Sequence, residues 1–425
     1  MAIDYLDKWE LNGAEVLIKD YGRAQANGVA TLDENGFIPS NQIPSSFASG
    51  IKVSPDAPSN LLLTDWVTQL KNSDIKNVGK IFRASTSSDA NFSSSDVKAA
   101  VYFKGMIVCV NAISSNKTFY YSEDNGETFT KSTSVYTGTL ISDKYPYAMC
   151  TDGNVVACCF SDKVMYTEDG KTWHDCIGSA KGRNMLYADG LWITGNTSGN
   201  IYWSEDGKTW YAGSGFTGTC LEIAKSPVTW MAVNGSGIIF ASTDGKNWAQ
   251  TATFGASGSS AIDYSEGLWC AALQPTDSSA SIRVKVSSNE GQTWSNNITG
   301  PAGSSNGVTM VKGLKGKWYI GANYKLWQTD FNTGSAPVFT NVLSGGSIRG
   351  LTYSKKLGLY FVIGGSNILV SYSVDGISWE SAKGNPTTLH SVNYLWLFED
   401  DKLFAASQGY GTRWSKADVW LPSIF

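Results

Sequence analysis

The sequence predicts an all-β chain of repeated four-stranded antiparallel units, and three observations carry that prediction. One short phrase recurs seven times after about residue 94 of the 425. Apolar runs of strand length, four to a unit, are separated by turn residues between its copies. Trp (16), Tyr (20) and Gly (44) are plentiful while charged residues make up 16%. That profile suits glycine-turned β structure rather than a disordered or coiled-coil chain.

The phrase reads S-E-D-N-G-E-T-F at 122–129, T-E-D-G-K-T-W at 167–173 and S-E-D-G-K-T-W at 204–210. It returns as S-T-D-G-K-N-W at 242–248, S-S-N-E-G-Q-T-W at 287–294 and S-V-D-G-I-S-W at 373–379. A worn copy over 329–339 keeps Asp330, Gly334 and Phe339. Its chemistry is that of a turn. Asp or Asn accepts backbone N–H bonds from just ahead of it. Gly takes the positive φ of a tight reversal. Ser or Thr ties the turn to a neighbouring backbone group. The closing Trp or Phe buries a large apolar area beneath. Copies 37 to 46 residues apart, counted from glycine to glycine, indicate a repeat architecture.

The phrase resembles the Asp-box, or BNR repeat, of sialidase-like β-propellers (S-x-D-x-G-x-T-W). The copies at Ser122 and Ser287 keep the full spacing, and the others drop one residue between Asp and Gly. The resemblance implies that each box joins the third and fourth strands of a blade and is structural, not catalytic. Its members would be Asp124, Asp169, Asp206, Asp244, Asn289, Asp330 and Asp375, with Trp173, Trp210, Trp248, Trp294 and Trp379.

In the third unit the four runs are N-M-L-Y-A-D-G, L-W-I-T-G-N, I-Y-W-S-E-D-G and T-W-Y-A-G. A further unit without a box follows, with runs at 389–396, 402–406, 412–415 and 419–425, and Trp420 in the aromatic slot. The expectation is therefore a β-propeller of eight four-stranded blades, within the usual range. Seven is the alternative, if the boxless unit is a closing flap. The ring must close near Val97, where a strand over 80–84 adds an outer edge.

Three regions are expected: residues 1–55, a connecting helix and strand over 56–93, and the propeller over 94–425. Residues 14–23 read as a helix, or 15–19 as a strand. Leu62, Leu63, Trp66, Val67 and Leu70 stand near helical spacing, so a short helix over 60–71 capped by Ser59 is expected. The Ser-rich run 85–95 reads as a loop. In 27–45, D-E-N-G marks a turn, and Pro39 and Pro44 favour extended chain. This stretch resembles a segment near the N-terminus of phage tail-fibre and receptor-binding proteins, matching at Gly28, Leu32, Asp33, Gly36, Pro39 and Pro44. The resemblance implies attachment to other virion or tail proteins through residues 1–55.

A formal net charge of −4 gives no footprint for nucleic acid. Residues 1–10 are too polar for a signal peptide, and no apolar run approaches a membrane span. Seven Cys without C-x-x-C spacing read as buried thiols made in a reducing cytosol. No cofactor is implied, and the lone His174 and His390 do not suggest a metal.

A sialidase needs three converging arginines. The propeller region holds Arg183, Arg283, Arg349 and Arg413, all expected near the face opposite the boxes but not as a triad. Asp189, Glu222, Asp263 and Glu266 read as turn or surface residues. The small polar loops on that opposite face suit binding better. Tyr324 and Tyr410 offer rings for sugar stacking, so the four arginines and two tyrosines form the candidate ligand face. The expected function is a non-catalytic phage tail protein, made in the host cytoplasm. Its propeller would be a receptor-binding or structural head for a host glycan or protein, with a homo-oligomer as one form open to it. The alternative is a glycoside hydrolase acting on host glycans.

Overall fold

A computed structural model describes residues 8–11, 14–17, 83–88, 92, 96–112, 117–135, 146–277, 280–302, 307–331, 336–365, 368, 370–382, 392–398, 402–407 and 412–415. The chain divides into two compact units, Met1–Asn77 with Ala417–Phe425, and Val78–Lys416. In the first unit Lys8–Leu11 and Ala14–Leu17 pair as an antiparallel hairpin, so the stretch from residue 14 is strand rather than helix. The expected helix over 60–71, the tail-fibre-like residues 27–45, Tyr410 and Trp420 lie outside the described residues.

In the second unit every named element is a strand. The strands form seven four-stranded sheets and one five-stranded sheet. The expectation of eight four-stranded blades is corrected accordingly: seven have four strands, and the sheet that begins at Asp96–Phe103 has five. In chain order the first strands of the sheets are Asp96–Phe103, Pro146–Thr151, Asn184–Ala188, Cys220–Lys225, Gly258–Ser265, Val308–Leu314, Ile348–Ser354 and Val392–Phe398. Each of these touches the next, and Val392–Phe398 touches Asp96–Phe103, so they line a closed circuit.

Burial explains the sequence pattern. Second strands such as Val156–Phe160, Leu191–Gly195 and Trp230–Asn234 are buried on both faces, hence their near-continuous apolar runs. The short fourth strands His174–Asp175, Tyr211–Ala212 and Glu380–Ser381 are exposed. The core is a series of layers between consecutive sheets rather than one central mass. Leu191 and Ile193 of the third sheet, for example, pack with Trp230, Phe240 and Trp248 of the fourth.

Closure uses a segment ahead of the first repeat. Arg83–Ala84 pairs antiparallel with Thr412–Ser415 and supplies the fourth strand of the last sheet. Thr86–Ser87 then pairs parallel with Thr128–Val135 and becomes the fifth strand of the first sheet. A strand reaching Ala84 at this seam was expected. Thr86–Ser87 was not, because a Ser-rich run carries no strand periodicity. The fourth run once placed at 419–425 belongs to the other compact unit.

Candidate functional site

The repeated phrase folds into one turn, used between third and fourth strands. In the fourth sheet the Ser242 hydroxyl donates to Asp244 Oδ1 at 2.9 Å and accepts Gly245 N–H at 2.8 Å. Asp244 Oδ1 also accepts the N–H groups of Lys246 and Asn247, both at 2.8 Å. The second, third and seventh sheets repeat this pattern around Asp169, Asp206 and Asp375. The full-length copies fit their extra residue by putting it in the left-handed region, Asn125 at φ 61° and Glu290 at φ 57°. Their Asp124 and Asn289 then accept from Thr128 and Thr293 instead.

These bonds hold the carboxylates ionised. Desolvation opposes ionisation of Asp169, but the Thr172 and Lys171 N–H groups outweigh it and pull its pKa down to about 2. Asp124, Asp206 and Asp244 are lowered by the same balance. Asp375, donated to by Ser378 and Ile377, falls to about 2.

The box aromatic is a wedge driven into the preceding sheet. Trp173 stacks on Phe119 of the first sheet, with centroids 3.6 Å apart and planes at 10°. Trp210 packs with Ala157 and Cys159, Trp294 with Met231 and Val233, and Trp379 with Tyr319 and Leu326. Phe129 meets Phe404 of the last sheet, centroids 5.4 Å apart, across the seam. The same face carries ion pairs from box to box: Lys171 to Glu123 (2.9 Å), Lys208 to Glu168 (2.6 Å) and Lys246 to Glu205 (2.7 Å). Asp330 of the worn copy pairs with Lys317 at 2.7 Å, and residues 332–335 of that copy lie outside the described residues.

The described candidate ligand residues stand on separate sheets. Arg183 precedes the first strand of the third sheet and lies over the Tyr147 ring at 5.1 Å. Arg283 opens a third strand and donates to the Phe254 carbonyl at 2.7 Å. Arg349 sits exposed on the first strand of the seventh sheet. Arg413 lies on a third strand of the last sheet, opposite Ala405 and Ala84. Tyr324 is 52% exposed in a left-handed turn at φ 60°. Two of the four arginines are thus engaged by neighbours, and the four come from four different sheets.

No family model and no curated protein matches the chain. Solved structures do. The Dos1 propeller superposes with a TM-score of 0.60 at 11% identity, covering 81% of this chain and 96% of that one. The computationally designed Ika8 protein gives 0.57 at 12%, covering 79% and 100%. Sqt1 of Saccharomyces cerevisiae gives 0.56 at 11%, covering 78% and 98%. The fold is a β-propeller.

The propeller holds features that sequence reasoning missed. Three second strands carry an Asn at or beside their end whose side chain closes the next turn. Asn111 Oδ1 accepts Thr118 N–H at 3.1 Å, Asn196 Oδ1 accepts Ser198 and Asn200 N–H, and Asn234 Oδ1 accepts Ser236 and Ile238 N–H. In the fifth sheet Gln274 works the other way round, its Nε2 donating to the Ala280 carbonyl at 3.0 Å. A polar residue ending an apolar run was the available signal. These loops therefore spend side-chain polarity on themselves.

Asp189 and Glu266 are turn residues, at φ 49° and 50°, as expected. Glu222 and Asp263 are not: they stand on first strands, each reaching to the first strand of the next sheet. Glu222 Oε2 accepts Ile262 N–H at 2.9 Å, and Asp263 accepts Lys312 Nζ at 3.3 Å and Gly313 N–H at 3.0 Å. Burial, helped by the charge of Asp263, pushes the Glu222 carboxyl up to about 7. Among the described residues no group of three or more His, Cys, Asp or Glu is placed to hold a metal ion. All seven cysteines are free thiols, and Cys109, Cys158 and Cys270 are fully buried.

Proposed function

We propose that this chain is a non-catalytic bacteriophage tail protein, built into the virion through residues 1–55 and using the propeller as a receptor-binding or structural head. One observation carries the reading. A segment resembling tail-fibre proteins is joined to a ring whose repeated polar residues are consumed by turns. The separation of Met1–Asn77 and Ala417–Phe425 from Val78–Lys416 as compact units supports a division of labour. In this reading the boxes are those of the Asp-box family, and the five-stranded sheet is the eighth blade. The ligand is a host-surface glycan or protein, and the chain is made in the host cytoplasm before assembly. Deleting residues 1–55 should abolish incorporation into particles while the near-ultraviolet signature of the packed tryptophans persists. Normal incorporation of the shortened chain refutes the assignment.

A second reading, a glycoside hydrolase acting on host glycans, is favoured by the elevated Glu222 beside Asp263. A carboxyl that keeps its proton near neutrality is the acid such chemistry needs. Release of reducing sugar from host polysaccharide, lost in Glu222→Gln, would establish it over the first.

A further inference from the structure

One groove on the box face departs from the repeat in ways that bear on binding. An open groove of about 530 Å³ lies between the third and fourth sheets, lined by Asp189, Glu205, Lys225, Val228, Asp244 and Lys246 among others. Two departures from the repeat meet there, and a third lies on the other side of the fourth sheet. First, the fourth sheet's first strand ends in Lys225, where the others end in Phe103, Thr151, Ala188, Ser265, Leu314, Ser354 and Phe398. The Lys225 side chain is only 9% exposed and pairs with Asp189 at 2.8 Å. Second, the turn that follows is Ser226-Pro227-Val228 in place of the left-handed X-Gly pairs at Lys104, Asp189, Glu266 and Lys315. Ser226 Oγ accepts the N–H groups of Val228 and Thr229, which raises Val228, 60% exposed, as a wall. Third, the run of ion pairs, intact across the groove at Lys246 and Glu205, ends one seam further on, between the fourth and fifth sheets. Thr243 stands where earlier boxes carry Glu, and Gln292 where the next would carry Lys. In a repeat fold, local departures gathered around one sheet mark a site selected for something other than folding.

We infer that this groove binds a neutral saccharide. The chemistry selects the class by elimination. An anion meets three carboxylates, a cation meets two ammonium groups, and an apolar ligand must strip water from two ion pairs without replacing it. A sugar diol satisfies both partners of such a pair, donating to the carboxylate and accepting from the ammonium. Asp189 and Glu205 present side chains 68% exposed for the first role. Lys225 has one N–H group beyond those given to Asp189 and Ser226 among the described residues, which serves the second. Val228 supplies the small apolar contact that a sugar face takes. The inference stands apart from the virion assignment, since it uses neither residues 1–55 nor the opposite face.

The test is saturation-transfer NMR on the full chain with lactose, methyl α-mannoside and N-acetylglucosamine, with 3′-sialyllactose as the anionic comparison. At least one neutral sugar should receive saturation. Its affinity should fall tenfold or more in Glu205→Gln and in Val228→Glu, both surface changes that leave the melting temperature in place. Lys225→Met should do the same if it folds, but the two surface variants decide. Absence of transfer to all three neutral sugars, binding unchanged in both surface variants, or preference for the sialylated probe overturns the proposal.

Discussion

The fourth sheet and the sixth solve the same third-to-fourth strand reversal with different materials. In the fourth, hydroxyl, carboxylate and glycine close a complete hydrogen-bonded turn, and Trp248 donates Nε1–H to the Gly245 carbonyl at 3.1 Å. In the sixth, Thr329 Oγ1 is buried with no hydrogen-bond partner among the described residues, and Asp330 is drawn to Lys317. Yet Phe339 still packs toward the layer formed by Cys270, Ala272 and Trp318, as a box aromatic does. What the two copies share among the described residues is the wedge. An aromatic ring between sheets gains several kcal/mol of burial, whereas a surface turn bond contributes about 1 kcal/mol.

The largest effect should therefore come from removing a wedge. Trp248→Ala empties a site 4% exposed between two sheets and should cost about 3–5 kcal/mol in denaturant unfolding. A loss below 1 kcal/mol would break the comparison. Next, Asp244→Ala should cost about 1 kcal/mol by removing the acceptor of a complete turn. Asp330→Ala should cost less than Asp244→Ala in the same assay, since its ion pair with Lys317 is partly exposed to solvent.

The pH dependence separates two kinds of carboxyl. Asp169 and Asp375 have folded pKa values of about 2, below the ordinary carboxylate range. Their support is complete above that range and is lost as pH falls toward 2. Amide exchange at Lys171 and Ile377 should accelerate across that window, and Asp169→Asn should flatten the response at Lys171. Glu222 runs the other way. Its folded pKa of about 7 exceeds the unfolded one, so the folded chain binds the extra proton between them. Stability should fall as pH rises from about 4.5 to 7, and Glu222→Gln should remove that slope. Smallest of all, breaking one box-to-box rung with Lys208→Met should cost at most a few tenths of a kcal/mol, and should vanish in high salt.

The boxes were readable in advance because each is local chemistry: every donor and acceptor lies within four residues of Asp244 or its equivalent. The Asn turns were partly readable for the same reason. Thr86–Ser87 was invisible, since a two-residue strand has no period and its partner lies some forty residues on at Thr128 and Phe129. The engagement of Arg183 by Tyr147 and of Arg283 by Phe254 was equally hidden, because each partner comes from the preceding sheet. So was the groove, whose walls meet only when Asp189 and Lys225 are brought together from two sheets.

What the chain order alone decided is the repeating unit: where each strand stops, which residue turns left-handed, and which ring is left to be buried. Those outcomes follow from torsional preference and hydrogen bonds of short span, which need no distant partner. Only the tertiary structure decided how the circle is sealed, by Arg83–Ala84 and Thr86–Ser87 on two different sheets, and which charged groups remain open to a ligand. Both depend on side chains and strand edges from separate sheets arriving within hydrogen-bond distance. That proximity is a property of the closed ring and of no single repeat.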